Sequence, residues 1–318
     1  MKKTILACFI VLTALAAGGV PAQDFPSRPV RLVVPFPPGG PLDVAGRMVA
    51  QELQERWGQP VIVENKAGGS IGAESVAKAP RDGYTLMING SSPFVTLPQM
   101  RKVGYDPIAD FVGVTQTTYS QFALIAHARS GFFSLAQLIE EARKAPGQLD
   151  YGSAGNGSGQ HLYFELLKIA AGIDVTHVPY KGAAPAMQAL LAGEVPFILE
   201  NIITASSLVK SGRARALMVT GAKPIENLPG AVPFDGLFPG LGIQTWHGIF
   251  APSGTPRPVL ERIADGIRHA LQVPRVVGRL AELGVEPSGL SGEEFNAIVK
   301  SDFERWGVVI RKNKLRAD

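Results

Sequence analysis

Two glycine-rich loops carry the residues best suited to ligand chemistry in this chain. Each loop follows a strand-like run and leads into a helix-like run. Glycine leaves the backbone open to a ligand, and the first N–H groups of a helix have no partner within it, so each loop predicts a site for an anion such as a carboxylate. The alternative is an ordinary turn or a flexible surface loop. The candidate residues are Phe36, Pro38, Gly39, Gly40, Pro41, Leu42 and Asp43 in the first loop, and Ser153, Ala154, Gly155, Asn156, Gly157, Ser158 and His161 in the second.

Polar residues also follow two later strand-like runs. Tyr180 and Lys181 come after one of them, and Glu200 and Asn201 end the next. Open α/β sheets bind ligands at the carboxyl ends of their parallel strands, which is where these residues fall. Lys181 is therefore a candidate partner for an anion, and Glu200 and Asn201 are candidates for binding an amino or hydroxyl group. The alternatives are a solvated lysine and a helix cap.

The chain contains one literal match to a catalytic motif. Residues 68–72 read Gly-Gly-Ser-Ile-Gly, as in the nucleophile elbow of serine hydrolases. The elbow requires a strand that runs directly into the serine, but residues 65–67 separate Ser70 from the preceding strand-like run. We predict no catalytic residue and no metal or cofactor, with a serine hydrolase as the alternative. The histidines also lack metal-ligand spacing; they are His127, His161, His177, His247 and His269.

Short strand-like runs alternate with helical patterns, which indicates an α/β fold with parallel sheets. Helix ends are marked by Gly58, by a capping box at Ser134 and Gln137, and by Ser291 with Glu294. Several strands are apolar on both faces, as is typical of parallel strands covered by helices. The predicted strands are Val30–Phe36, Val61–Glu64, Tyr84–Asn89, Leu149–Ser153, Val175–Pro179, Val195–Glu200 and Ala214–Thr220.

Two irregular extended stretches, at residues 111–126 and 220–250, interrupt this alternation. We interpret them as crossovers between two α/β lobes. The predicted domains are residues 23–120 together with 222–318, and residues 121–221. The two glycine-rich loops would then face each other across a cleft, and closure about the crossovers would bury a ligand.

The N-terminus has the anatomy of a secretory signal peptide. Two lysines precede an apolar run from Thr4 to Ala17, and Val20-Pro21-Ala22 matches the small-residue cleavage pattern. We predict that residues 1–22 are removed on export to the periplasm, and with them Cys8, the single cysteine. Loss of the two lysines lowers the formal net charge from +4 to +2. That charge gives no field favouring nucleic acid.

Together these motifs resemble the Bug/TctC family, the periplasmic receptors of tripartite tricarboxylate transporters. The resemblance covers essentially the whole chain after residue 22. It is carried by Pro-Ser-Arg-Pro-Val-Arg-Leu-Val-Val-Pro-Phe at 26–36, Pro38-Gly39-Gly40 with Asp43, Gly-Gln-Pro-Val-Ile-Val-Glu-Asn at 58–65, Asp-Gly-Tyr-Thr-Leu at 82–86, Leu-Asp-Tyr-Gly-Ser-Ala-Gly-Asn-Gly-Ser at 149–158, His-Val-Pro-Tyr-Lys-Gly at 177–182 and Ala-Pro-Ser-Gly-Thr-Pro at 251–256.

The resemblance implies a two-lobed type II periplasmic binding protein fold with crossover strands between the lobes. It implies that a small carboxylate, such as a di- or tricarboxylate, an amino acid or an aromatic carboxylate, lies between the two loops. The implied partners are the membrane subunits of a tripartite transporter, or a sensor kinase if the receptor serves signalling, and the receptor is expected to be a monomer. The cleft candidates that the resemblance supports are Ser91, Ser92, Tyr180, Glu200 and Asn201.

The chain departs from the family pattern at two places. Pro41 and Leu42 stand where the family usually has Ser, Gly or Thr, and Pro41 lacks a backbone donor. This departure predicts a less polar ligand, such as an aromatic or branched carboxylate. Glu200 stands where the family favours Asp, which predicts a narrower cleft on that side.

Overall fold

The computed structural model describes residues 25–36, 38–39, 41–66, 70–156, 158–239, 244–283 and 285–313. The predicted leader, Gly40 and Gly157 lie outside this part of the chain. The described residues form a mixed α/β structure with two six-stranded sheets, in agreement with the predicted fold class.

The first sheet is built from both ends of the chain. Its strands are β1 (Val30–Val34), β2 (Val61–Asn65), β3 (Thr85–Gly90), β4 (Phe111–Ser120), β11 (Thr245–Pro252) and β12 (Glu286–Pro287). The strand order is β12-β4-β11-β3-β1-β2, in which β1 is parallel to β2 and β3 while β11 is antiparallel to β3 and β4. The helices of this lobe are α1 (Pro41–Trp57), α2 (Ser70–Ala77), a π-helical turn (Ser92–Thr96) that continues into α3 (Leu97–Met100), α9 (Arg257–Ala270), α10 (Pro274–Glu282) and α11 (Gly292–Asn313).

The second sheet is built from the middle of the chain. Its strands are β5 (Phe122–His127), β6 (Asp150–Ser153), β7 (Thr176–Pro179), β8 (Phe197–Asn201), β9 (Ala214–Val219) and β10 (Val232–Pro233). The strand order is β10-β9-β5-β8-β6-β7, in which β6 is parallel to β7 and β8 while β5 is antiparallel to β8 and β9. The helices are α4 (Leu135–Lys144), α5 (Gly159–Ala171), α6 (Ala183–Ala192), α7 (Ile202–Lys210) and α8 (Phe234–Leu237).

The strands and helix ends predicted from sequence are present. All seven strands form, with ends that differ from the predicted ones by one or two residues. The Ser134 side chain accepts from the Gln137 N–H at 3.2 Å, but the Gln137 side chain accepts from Phe133 instead of from Ser134. The box at the start of α11 is reciprocal, because Ser291 and Glu294 each accept from the other's backbone N–H.

The two stretches predicted to be irregular instead contain regular strands. Residues 111–126 form nearly all of β4 and β5, and β11 lies at the end of the second stretch. The predicted parallel pairing is present between β1, β2 and β3 and between β6, β7 and β8, but both sheets are mixed, since β4, β5 and β11 run antiparallel to their neighbours. The polar run Thr115-Gln116-Thr117-Thr118 obscures the strand pattern, yet all four residues are buried.

The chain passes from the first sheet to the second between Ser120 and Phe122. This position coincides with the predicted boundary after residue 120. Val232 and Pro233, however, pair with β9 in the second sheet, which therefore extends beyond the predicted boundary at residue 221. The division into domains stays a prediction.

The packing of α11 on the first sheet depends on two glycines. The Phe295 ring is fully buried and lies over Gly113 of β4 and Gly248 of β11. A Cβ at Gly248 would stand 2.2 Å from Cζ of that ring, and a Cβ at Gly113 would stand 2.7 Å from its Cδ1. The neighbouring Asn296 amide donates to and accepts from the Gly113 backbone, both at 2.9 Å, which covers that part of the β4 edge.

Side chains of the two lobes meet at α5 and α11. Tyr163 of α5 packs edge-on against Trp306 of α11, with ring centroids 5.4 Å apart. Its hydroxyl lies 3.2 Å from Oγ1 of Thr245, the first residue of β11. Among the described residues, no helix has the length and apolar character required to cross a membrane.

Candidate functional site

The carboxyl ends of the parallel strands in both lobes lie beside the crossing. In the first lobe β11 pairs Thr245 with Ser120 and His247 with Gly90, so the end of β3 lies near the point where β4 leaves the sheet. In the second lobe Phe122 pairs with Asn201, so the end of β8 lies near the point where β5 begins. The loops that follow these parallel strands therefore lie on the sides of the two lobes that meet at the crossing.

The first glycine-rich loop is held in place by Asp43. This side chain is 2% exposed, and its carboxylate accepts from the Gly39 N–H at 2.9 Å, from Arg47 Nε at 3.0 Å and from Asn65 Nδ2 at 2.8 Å. Asn65 Nδ2 also donates to the Phe36 carbonyl at 3.1 Å. Asp43 therefore holds the loop in place from its buried side. The groups that donate to its carboxylate all belong to the protein itself.

The charge of Asp43 is stabilised in this position. Burial raises the pKa of its carboxyl, but the hydrogen bonds from Arg47, Gly39 and Asn65 outweigh burial, so the pKa lies below its ordinary value. An ionised Asp43 beside a carboxylate site would repel the ligand without these partners. Arg47 of α1 and Asn65 of β2, which hold the Asp43 carboxylate in place, were not among the residues predicted from sequence.

The other candidates of the first lobe have different surroundings. Leu42 is buried in the lobe core, where Phe36 packs against the same cluster, so Leu42 contributes to packing in place of lining the loop. Gly39 is exposed with φ +87°, a conformation that favours glycine, and Pro38 beside it is also exposed. Ser91 directly follows β3 and is buried. Pro41 begins α1 and Ser92 begins the π-helical turn.

The second glycine-rich loop is fixed by backbone and side-chain bonds. Ser153 Oγ accepts from the Gly155 N–H at 3.1 Å and lies 2.6 Å from His177 Nε2. Tyr180 and Gly182 donate their backbone N–H groups to the carbonyls of Ser153 and Ala154. The turn after β6 and the turn after β7 are thus joined into one surface.

The helix that follows the second loop begins as predicted. Ser158 is the N-cap of α5, and its hydroxyl accepts from the His161 N–H at 3.3 Å. Gly155 has φ +122°, and a Cβ there would stand 3.1 Å from the Tyr180 carbonyl oxygen. A side chain at position 155 would therefore strain this loop. Ala154 is half-buried and Asn156 is exposed.

A stack of four rings supports the second loop from below. His161 stacks on His177 (4.1 Å between centroids), His177 on Tyr151 (4.9 Å) and Tyr151 on Phe164 (3.7 Å). The Tyr151 hydroxyl donates to Glu165 at 2.9 Å, and Lys168 also bonds that carboxylate at 2.9 Å. His177, which was not among the site residues predicted from sequence, positions the Ser153 hydroxyl and so helps to fix this loop.

The four candidates at the strand ends of the second lobe have different surroundings. Glu200 is buried at the carboxyl end of β8, where burial raises its pKa, and Asn201 caps α7 through the Ile203 N–H at 3.0 Å. Lys181 is exposed. The Tyr180 ring instead packs with the core on the α6 side of the sheet. Besides burial, the pKa of Tyr180 is raised by the carboxyl groups of Glu194, in the turn before β8, and Asp150, the first residue of β6.

Acidification should destabilise the protein through two half-buried histidines, His177 and His247. Burial, and then His161 and Lys168, lower the pKa of His177 to about 4, and burial lowers the pKa of His247 to about 4. Unfolded histidine protonates near pH ~6.5, so between about pH 6.5 and pH 4 the unfolded chain binds protons that the folded chain does not. Stability therefore falls as pH decreases through this window, by on the order of 2 kcal/mol for each histidine.

Urea unfolding at about pH 7.5 and about pH 4.5 measures this loss. The His177→Gln variant should lose less stability between the two pH values than the wild type. The matched control is His269→Gln, since His269 is exposed on α9, and it should lose as much as the wild type. An equal loss in the His177→Gln variant would show that His177 is not held neutral by the fold.

The fold and its two loops define a class of protein, the two-lobed solute-binding receptor. The sequence model of one protein family matches residues 45–315. That family is described as the "Tripartite tricarboxylate transporter family receptor". This chain belongs to that family, so the resemblance seen in the sequence motifs is confirmed.

Relatives and solved structures agree with this assignment. BugT of Bordetella pertussis is 32% identical over 313 residues, which cover 97% of this chain and 96% of BugT. The structure of R. palustris Rpa4515 with adipate is 33% identical with a TM-score of 0.72, covering 92% of this chain and 99% of that one. MatC from Rhodopseudomonas palustris with bound malate is 29% identical with a TM-score of 0.70, covering 90% and 100%. The family consists of receptors, which removes support for a serine hydrolase at Ser70.

Proposed function

We propose that this chain binds a small dicarboxylate between its two glycine-rich loops. The observation that carries the proposal is that both loops open helices on the sides of the lobes that meet at the crossing. Each loop offers backbone N–H groups at the positive end of a helix, and α1 and α5 are both long enough for a substantial dipole. One carboxylate at each loop would use both lobes, so binding would favour closure.

Two solved relatives support the ligand class. The structures of Rpa4515 and MatC contain adipate and malate, which are both dicarboxylates. We extend this class to the present chain, with the lack of a backbone donor at Pro41 favouring a less polar member. The ligand contacts proposed in the first loop run from Phe36 to Asp43, and those in the second run from Ser153 to His161.

The proposal includes export and transport. Residues 1–22 would be cleaved as a signal peptide, and the receptor would act in the periplasm as a monomer without a cofactor. The closed, loaded receptor would deliver its ligand to the membrane subunits of a tripartite transporter, as the family description indicates.

Thermal unfolding with a panel of carboxylates tests the ligand class. Adipate, malate and an aromatic dicarboxylate would be compared with their diamides, which keep the shape and lose the charge. A true ligand at about 100 times its dissociation constant stabilises the folded state by roughly 2.7 kcal/mol, which raises Tm by several degrees. Equal shifts with an acid and its diamide, or no shift with any acid, would overturn the proposal.

The Gly155→Ala variant tests the position of the site. Its Cβ would crowd the Tyr180 carbonyl oxygen and strain the loop, so affinity for the carboxylate should fall by about tenfold or more. The matched control is Gly212→Ala, because Gly212 also has positive φ but no atom within 4 Å of its Cβ position. This control should lose stability and keep its affinity. Unchanged affinity in the Gly155→Ala variant would remove the second loop from the site.

A further inference from the structure

A cavity lies beside the crossing between the lobes, apart from the two loops. Its volume is about 530 Å³. One wall is formed by α11, and the opposite wall by residues of β4, β11 and the segments that connect the two lobes. The lining residues are Gln116, Ala222, Gln244, Trp246, Ala297, Ile298, Ser301, Asp302 and Arg305.

Two polar side chains in this cavity are almost completely buried. Asp302 and Gln116 are each 5% exposed. The Trp246 indole N–H donates to one oxygen of the Asp302 carboxylate at 2.7 Å, and within the described residues it is the only group that hydrogen-bonds to this carboxylate. The side-chain amide N–H₂ of Gln116 donates to the Thr118 carbonyl at 3.5 Å. The amide oxygen of Gln116 can therefore accept a hydrogen bond from a ligand. A buried carboxylate with so few donors is costly unless a ligand or water completes its bonding.

The Asp302 carboxyl is charged at neutral pH. Burial raises its pKa to about 6, while the Trp246 hydrogen bond and the positive charge of Arg305 oppose this rise. A mostly ionised carboxylate in a half-open cavity attracts a cation, with Arg305 in the same lining as the competing positive charge, and nearby amide oxygens accept further N–H groups. The Ala297 and Ile298 side chains supply an apolar surface for a short carbon chain.

We propose that this cavity is a second binding site, which takes a small organic ammonium compound with its ammonium group on Asp302. The amide oxygens of Gln116 and Gln244 and the Ser301 hydroxyl would accept its remaining N–H groups. This site would bind a cation, whereas the two glycine-rich loops are proposed to bind an anion. The proposal does not depend on the function of the loops.

The location of the cavity couples it to the movement of the lobes. Ala222 follows β9 of the second sheet closely, Gln244 directly precedes β11, and Asp302 belongs to α11 of the first lobe. The contact of Tyr163 with Thr245 and Trp306 adjoins the same wall. Rotation of the lobes would therefore change the shape of the cavity, and a ligand in it would favour one arrangement. By reciprocity, its binding and carboxylate binding would alter each other's affinity by the same factor.

Calorimetric titration of the purified protein with 1,4-diaminobutane at low salt tests the proposal. The neutral 1,4-butanediol has the same length and is the matched probe. We expect the diamine to bind with one-to-one stoichiometry and the diol to give no measurable heat. Absence of diamine binding, or equal binding of the diol, would overturn the proposal.

Three variants identify the site. Asp302→Asn keeps an acceptor for the Trp246 N–H and removes the charge, so diamine affinity should fall by at least about tenfold. Glu304→Gln makes the same charge change on the exposed face of α11 and should leave the affinity unchanged. Ala297→Phe enlarges an exposed residue of the cavity wall and should block binding without disturbing the core. Unchanged affinity in both Asp302→Asn and Ala297→Phe would place the diamine elsewhere.

The carboxylate titration separates this proposal from the proposed function. If the receptor binds no carboxylate but binds the diamine through Asp302, the second site stands alone. Where both ligands bind, the carboxylate affinity measured with saturating diamine should differ from that measured without it. The Asp302→Asn variant should abolish this difference.

Discussion

Replacing Gly248 with alanine should lower the free energy of unfolding by about 3 kcal/mol or more. The new Cβ would stand 2.2 Å from Cζ and 2.3 Å from Cε1 of Phe295, well inside contact distance. The ring is fully buried between β4, β11 and α11, so it cannot move aside without displacing α11 or its packed neighbours Trp246 and Phe250. Urea unfolding measures the change.

The matched control is Gly278→Ala on α10. No atom lies within 4 Å of a Cβ at Gly278, and alanine in a helix is more favourable than glycine by roughly 0.5–1 kcal/mol, so this variant should gain stability. The double variant Gly248→Ala with Phe295→Leu should be more stable than the sum of the two single changes predicts, because the smaller side chain removes the clash. Near-neutral behaviour of Gly248→Ala alone would show that α11 packs more loosely than the structure indicates.

Much of the fold could be predicted from local sequence signals. Apolar runs predicted the parallel strands, and the capping boxes at Ser134 and Ser291 predicted two helix starts. Ser158 caps a third helix start in the structure. These signals are local because capping and strand burial depend on a few neighbouring residues. The two glycine-rich loops were likewise visible, since glycine density beside a helix start does not require knowledge of distant contacts.

What the sequence did not show are the contacts between residues far apart in the chain. Asn65 reaches Asp43 from β2, and His177 reaches Ser153 from β7, so neither partner lies in the motif that it supports. Leu42 was expected to face the ligand, but the turn of α1 directs it into the core. The stretches at the crossing were interpreted as extended but irregular because the polar residues of these strands are satisfied by tertiary partners, such as His247 for Thr118 at 2.9 Å.

Asp43 was predicted from sequence to contact the ligand, but its contacts in the structure indicate that it supports the first loop. Its carboxylate oxygens already accept from Gly39, Arg47 and Asn65. Asp43→Ala should therefore disorganise the first loop and reduce carboxylate affinity by about 100-fold, and it should also lower the free energy of unfolding by about 1–3 kcal/mol because the half-buried Asn65 amide and the Gly39 N–H each lose an acceptor. Titration with the acid that gives the largest Tm shift measures the first effect, and urea unfolding measures the second.

The isosteric Asp43→Asn variant separates support of the loop from charge. It keeps one acceptor for Gly39 or Asn65 and removes the negative charge, so its affinity should lie between those of the wild type and Asp43→Ala. The matched control is Asp265→Ala, which removes an exposed carboxylate paired with Arg56 and should leave affinity unchanged, since exposed ion pairs contribute little. A gain of affinity in both Asp43 variants would mean that the charge opposes the ligand and that the loop holds its shape without it.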